Sequence, residues 1–100
     1  MTNEQRIALE RRYVRRYLAD LKAKGWRVDS MSADGEELSY PADLFACDEA
    51  CVILERTRDQ RRGFILFVYG NDPSEVLCDC STSIWDDTKA TSDWIEQRTL

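Results

Sequence analysis

The stretch "GFILFVYG", residues 63–70, constrains this chain more than any other. Phe64 to Tyr69 are six consecutive apolar residues, about a third of the ~20 that a membrane-spanning helix needs. A strand that is apolar on both faces has to be covered on both faces at least in part, which places it in the middle of a sheet. Its sequence neighbours supply the flanking strands. On one side "CVILERTR" is β-branched and apolar before turning polar, and "DQRR" leads from it into Gly63 as a hairpin loop of three to five residues. On the other side "GNDPSE" is punctuated by Gly70, Asn71 and Pro73 as a tight turn. It is followed by "EVLCDC", a strand whose alternation sets Val76, Cys78 and Cys80 on one face and Leu77 and Asp79 on the other. The centre of the chain therefore reads as a three-stranded antiparallel meander.

Helices flank it. Ile7, Val14, Leu18 and Leu21, with Tyr13 and Tyr17, recur at spacings of three, four and seven, the signature of one helix face over residues 3–24. Thr2 or Asn3 caps its start, Glu4 sits in the first turn, and Gly25 ends it after Lys22 and Lys24. "WRVDSM" alternates as a further strand, "ADGEE" is a turn built on Asp-Gly, and Pro41 opens a short helix that turns Leu44 and Phe45 inward. Ile84, Trp85, Trp94 and Ile95 belong to a C-terminal helix capped by Ser83 or Thr91. Residues 1–100 thus read as a single α+β domain: long N-terminal helix, strand, short helix, meander and C-terminal helix, packed as a two-layer sandwich.

Composition closes off several function classes. The chain is 43% hydrophobic and 33% charged, which fits neither a disordered tail nor a membrane protein. Its N-terminus starts polar, without the basic-then-apolar order of a secretory signal, so a cytoplasmic setting with reduced thiols is expected. There is no histidine, which removes Ser-His and Cys-His nucleophile pairs and histidine general bases. The paired carboxylates Glu36–Glu37, Asp48–Glu49 and Asp86–Asp87 are adjacent, and adjacent side chains diverge in helix and strand alike. No glycine-rich phosphate loop is present. A single residue separates Cys78 from Cys80, too few for zinc ligands on a tight turn. With Cys47 and Cys51 they read as small hydrophobes, a four-thiolate cluster across two elements being the alternative. No catalytic residue, cofactor or metal is expected, and a non-enzymatic role follows.

Charge is divided between the two ends. Residues 1–27 hold eight basic and three acidic groups, net +5, and the other 73 residues are net −10, giving −5 for the whole chain. On a helical wheel of about 100° per residue, Arg11, Arg15 and Lys22 fall on one stripe with Arg12 and Lys24 nearby, opposite the tyrosines and aliphatics. Tyr13 and Tyr17 therefore belong to the core or its edge, their hydroxyls reaching solvent, and not to a base-stacking platform. Arg11, Arg12, Arg15, Arg16, Lys22 and Lys24 are the candidate contact residues, for an acidic protein patch or for phosphate. A simpler reading leaves them as a solvated face partnered by Asp86, Asp87 or Glu96. The acidic remainder is repelled by nucleic acid, which favours a protein partner. Scattered acids from Asp29 to Glu49 could also imitate a phosphate backbone.

Asp48–Ala50, the strand Gly63–Tyr69, the Gly70–Asn71 turn and the segment Ser74–Asp79, with "GWRVDS", "DGEE" and "DLFA" before them, resemble a group of small proteins associated with bacteriophages and prophages. The resemblance covers residues 25–82 and implies a fold and a mobile-element setting, with no catalytic motif. The leading expectation beside it is a non-enzymatic accessory factor that acts by binding another protein, a class that includes inhibitors of host defence. The order of elements is also loosely similar to the double-stranded RNA-binding domain. It departs from that domain in having an extra strand and short helix. Trp85, Asp86 and Asp87 also stand where that domain opens its last helix with basic residues.

Overall fold

A computed structural model describes residues 1–37 and 48–99. The short helix expected at Pro41, with Leu44 and Phe45, falls outside them, as does Cys47. The described elements run α1 (Asn3–Ala23), β1 (Arg27–Ala33), β2 (Glu36–Glu37), β3 (Glu49–Arg56), β4 (Arg61–Val68), β5 (Leu77–Cys80) and α2 (Thr82–Thr99). The fold is α+β, as the sequence predicts. The strands form one antiparallel sheet in the order β2-β1-β3-β4-β5, so β4 sits inside it, between β3 and β5.

Helix α1 is defined at both ends by backbone chemistry. The Thr2 hydroxyl accepts from the Gln5 N–H (3.2 Å) while the Gln5 side chain accepts from the Thr2 N–H (2.9 Å), a reciprocal capping box. At the other end Gly25 takes φ +92°, and two hydrogen bonds wrap the last turn. They run from the Gly25 N–H to the Lys22 carbonyl and from the Trp26 N–H to the Leu21 carbonyl, both 3.0 Å. This is a Schellman closure, and it turns Trp26 in beside Leu21, both buried.

Asp34 and Gly35, both at positive φ, make the two-residue turn of the β1–β2 hairpin. Glu36–Glu37 is thus a short strand paired with Ser32 and Ala33, where the sequence predicts only a turn. The Asp34 carboxylate also accepts from the Glu49 N–H (3.2 Å), tying the hairpin to the start of β3. The β3–β4 loop has the expected length but lies two residues earlier than the "DQRR" stretch: Arg61 and Arg62 already pair with Arg56 and Glu55, and Gln60 supplies the left-handed residue.

Alternation on β3 and β4 sends Ala50, Val52, Leu54, Ile65 and Phe67 into the core against α1 and α2. Burying each large aliphatic or aromatic side chain contributes about 1.5–3 kcal/mol. The other face carries Cys51, Ile53, Phe64 and Leu66, each half-buried. Strand β5 breaks the expected alternation. The register shifts opposite Leu66/Phe67, so that Leu77 pairs with Phe67 and Cys80 with Ile65. An extra residue at a bulge puts Leu77 and Cys80 on one side, and Cys78 is exposed instead of sharing their face.

Helix α2 runs antiparallel to α1. It starts at Thr82, so Ser83 lies within it, and Thr91, expected as a cap, is buried mid-helix and donates to Asp20 Oδ2 (2.5 Å). The Tyr17 hydroxyl meets Ser92 Oγ at 2.8 Å in place of solvent. A charged bolt closes the end where α1, β3 and α2 converge. Arg56 is buried over the Trp26 ring (4.8 Å), bonds Asp59 and Asp87 (2.8 and 3.2 Å), and Trp26 Nε1 donates to Asp87 at 2.7 Å. The hydrogen bonds that Arg56 donates to Asp59 raise the Arg56 pKa further, and the same contact lowers that of Asp59.

Candidate functional site

The antiparallel helix pair brings together residues about 80 positions apart in the chain. On α1, Arg12 and Arg16 are one helical turn apart, as are Trp94 and Arg98 on α2, so each pair presents its members on one side of its helix. At the seam the three guanidinium carbons lie 5.4 Å (Arg12), 4.9 Å (Arg16) and 4.1 Å (Arg98) from the centroid of the half-buried Trp94 ring. Tyr13 meets the same ring edge-on, centroids 6.0 Å apart at 88°. Each cation over an indole contributes about 0.5–1 kcal/mol when exposed, and the indole holds the planar guanidiniums in place. Arg16 is anchored further by Asp20 (3.3 Å), which Thr91 positions from α2. Asp20 is paired with Arg16, and three guanidiniums on one ring make this a locally positive patch. Planar forks of this kind match carboxylates and phosphates two bonds at a time.

The stripe read from the sequence is divided by the fold. Arg12 and Arg16 face α2 and join the tryptophan. Arg11, Arg15 and Lys22 belong to the opposite flank of α1. There Arg11 lines a small cavity with Ile7, Glu10 and Tyr69, and Lys22 lines an apolar hollow with Leu18, Trp26, Val28 and Leu54. Lys24 leaves the stripe altogether, its Nζ 3.7 Å from Asp87 at the charged bolt. Of the expected acidic partners, Asp87 is used by Lys24 and Arg56, while Asp86 pairs with Lys89 (3.5 Å) on α2 itself. Asp86 and Asp87 thus point to different neighbours, as adjacency in a helix requires.

Tyr13 and Tyr17 are buried, in keeping with the core reading. An aromatic ring does accompany the arginines, but it is Trp94, contributed by the other helix. The sequence carries a faint sign of it: Trp94 and Arg98 repeat the four-residue spacing of Arg12 and Arg16. Only the pairing of α1 with α2 shows that the two spacings meet. Among the described residues no group of three or more His, Cys, Asp or Glu side chains is placed to hold a metal ion. No helix among them is long and apolar enough to cross a membrane. No protein-family model, curated protein or solved structure matches this chain.

Proposed function

We propose that this protein is a non-enzymatic binding factor that grips an acidic patch on another protein through Arg12, Arg16 and Arg98 arranged around Trp94. The single observation behind the proposal is the convergence of three guanidiniums within 5.4 Å of one indole on an exposed helix seam. Arginine and tryptophan dominate binding hot spots because each offers large, rigid contact area together with directed polar or cationic groups. Holding the guanidiniums against the ring lowers the entropy cost of engaging a partner carboxylate. The mobile-element setting implied by the sequence resemblance fits a small accessory factor that acts by covering a surface.

Phosphate chemistry is the second reading, and two features weigh against it. Base stacking needs an open aromatic face, whereas guanidiniums crowd the Trp94 ring. Residues 28–100, net −10, also repel the nucleic-acid backbone at every distance within a Debye length.

The test is affinity capture with crosslinking in the native host, comparing the wild type with the triple variant Arg12→Glu, Arg16→Glu, Arg98→Glu. A partner crosslinked through an acidic segment, and lost in the variant, supports the proposal. Retention of the same partner by a folded variant refutes it. Duplex or single-stranded DNA bound at low salt, and released in the variant with a steep salt dependence, assigns the seam to nucleic acid instead.

A further inference from the structure

The opposite flank of α2 carries a second surface, of the opposite charge. Between α2 and the edge strand β5 lies a groove of about 440 Å³, within the size range of ligand-binding clefts. Trp85, Ile95 and Glu96 form its helical wall, Leu77 and Asp79 its strand wall, and Tyr17 lies at its base. Trp85 is 53% exposed, a large apolar surface left in water beside the cavity. Both charged residues that line the groove among the described residues are carboxylates, Asp79 and Glu96. The base is neutral and closed, because the Tyr17 hydroxyl is paired with Ser92 and burial pushes its pKa up.

Strand β5 is the sheet edge, and one of its outward donors is already used. The Ser81 N–H bonds to the Phe64 carbonyl (3.1 Å), so by antiparallel alternation the Cys80 N–H points away from β4. Asp79 Oδ1 accepts that N–H at 2.8 Å. An incoming chain therefore finds the ladder blunted at Cys80, which favours recognition through side chains. An aromatic wall beside two carboxylates fits one side-chain chemistry in particular. The aliphatic stem of lysine or arginine packs on apolar surface, its cation is attracted to an indole face, and it bonds carboxylates strongly.

We infer that the β5–α2 groove docks a lysine- or arginine-bearing segment of a partner polypeptide, with the stem along Trp85 and the cation at Asp79 and Glu96. This site is independent of the arginine seam and takes the opposite charge. Together the two would let the protein bridge an acidic surface and a basic segment.

The probe is an acetylated, amidated heptapeptide of alternating alanine and lysine, titrated into isotopically labelled protein and followed by amide and indole NMR shifts. Shifts confined to Leu77–Cys80, the groove side of α2 and the Trp85 indole are expected. Affinity is expected to fall about tenfold in Trp85→Ala. A similar fall is expected in the double variant Asp79→Asn, Glu96→Gln, which keeps an acceptor for the Cys80 N–H. The inference is overturned if the peptide produces no shifts at millimolar concentration or if the shifts map elsewhere. Unchanged binding by a folded double variant, equal binding of the alanine–glutamate heptapeptide, or equally tight saturation by spermidine overturns it as well.

Discussion

Replacing Gly63 with alanine should destabilise the protein by about 2–4 kcal/mol, far more than a methyl group in a strand ordinarily costs. Gly63 is buried in β4, directly beneath the start of α2. A Cβ there would lie 2.4 Å from Ser81 Oγ, 2.5 Å from Ser83 Oγ and 3.0 Å from Ile84 Cγ2. Both hydroxyls would have to move, and both are engaged. Ser81 Oγ accepts the Phe64 N–H (3.1 Å), Ser83 Oγ donates to the Arg62 carbonyl (2.9 Å), and the two hydroxyls bond each other (3.0 Å). Losing two of these bonds costs about 1 kcal/mol each, and overpacking adds about 1–3 kcal/mol. The lower backbone entropy of alanine in the unfolded chain returns about 0.5–1 kcal/mol. Thermal and urea denaturation followed by circular dichroism read the result, with a fall in Tm of about 10–25 °C for a domain of this size. In a Ser81→Ala, Ser83→Ala background the same change should cost under about 1 kcal/mol, because the two closest obstacles are gone. A cost below about 0.5 kcal/mol in the wild type, or an equal cost in both backgrounds, would refute the close-approach argument.

Two further expectations concern polar groups. Glu10 is buried on α1 and accepts from the Gly70 N–H (2.7 Å) and from Arg6 (2.6 Å). Glu10→Ala should cost about 1–3 kcal/mol by orphaning that amide, with faster hydrogen exchange at Gly70; unchanged exchange would contradict it. Burial pushes the Cys51 and Cys80 thiols and the Tyr17 hydroxyl up. The folded form then holds these protons more tightly than the unfolded chain. Their contribution is whole below the ordinary thiol value of 9.0 and is lost as pH rises past it and past the phenol value of 10.0. Urea midpoints should therefore fall between about pH 9 and pH 11, less steeply in Cys51→Ala, Cys80→Ala, and an unchanged slope would count against burial as the cause.

Much of the fold is written locally in the chain. The three- and four-residue recurrence from Ile7 to Leu21 with Thr2 and Gly25 at its ends makes α1, because capping and amphipathic packing act within a few residues. Phe64 to Tyr69 reads as an inner strand for the same kind of reason, since six apolar residues in a row have to be covered. The misread places are those where a distant partner decides. Glu36–Glu37 becomes a strand only because β1 stands beside it, and the alternation of β5 fails where its register with β4 shifts. Thr91 looks like a cap until Asp20 of α1 accepts its hydrogen bond.

The candidate site follows the same division. Composition and charge order determine that the N-terminal helix is the positive end of a negative protein and that its tyrosines face inward. They place the six candidate cations together at one helix but do not sort them, because a helical wheel has no knowledge of what packs on either flank. Tertiary structure does the sorting. The antiparallel α1–α2 pair draws Arg12 and Arg16 onto Trp94 beside Arg98, leaves Arg11, Arg15 and Lys22 on the far flank, and takes Lys24 to Asp87. Ring–cation contacts act over about 6 Å. A cluster built from residues 12 and 98 therefore exists only once the chain has folded its two ends together.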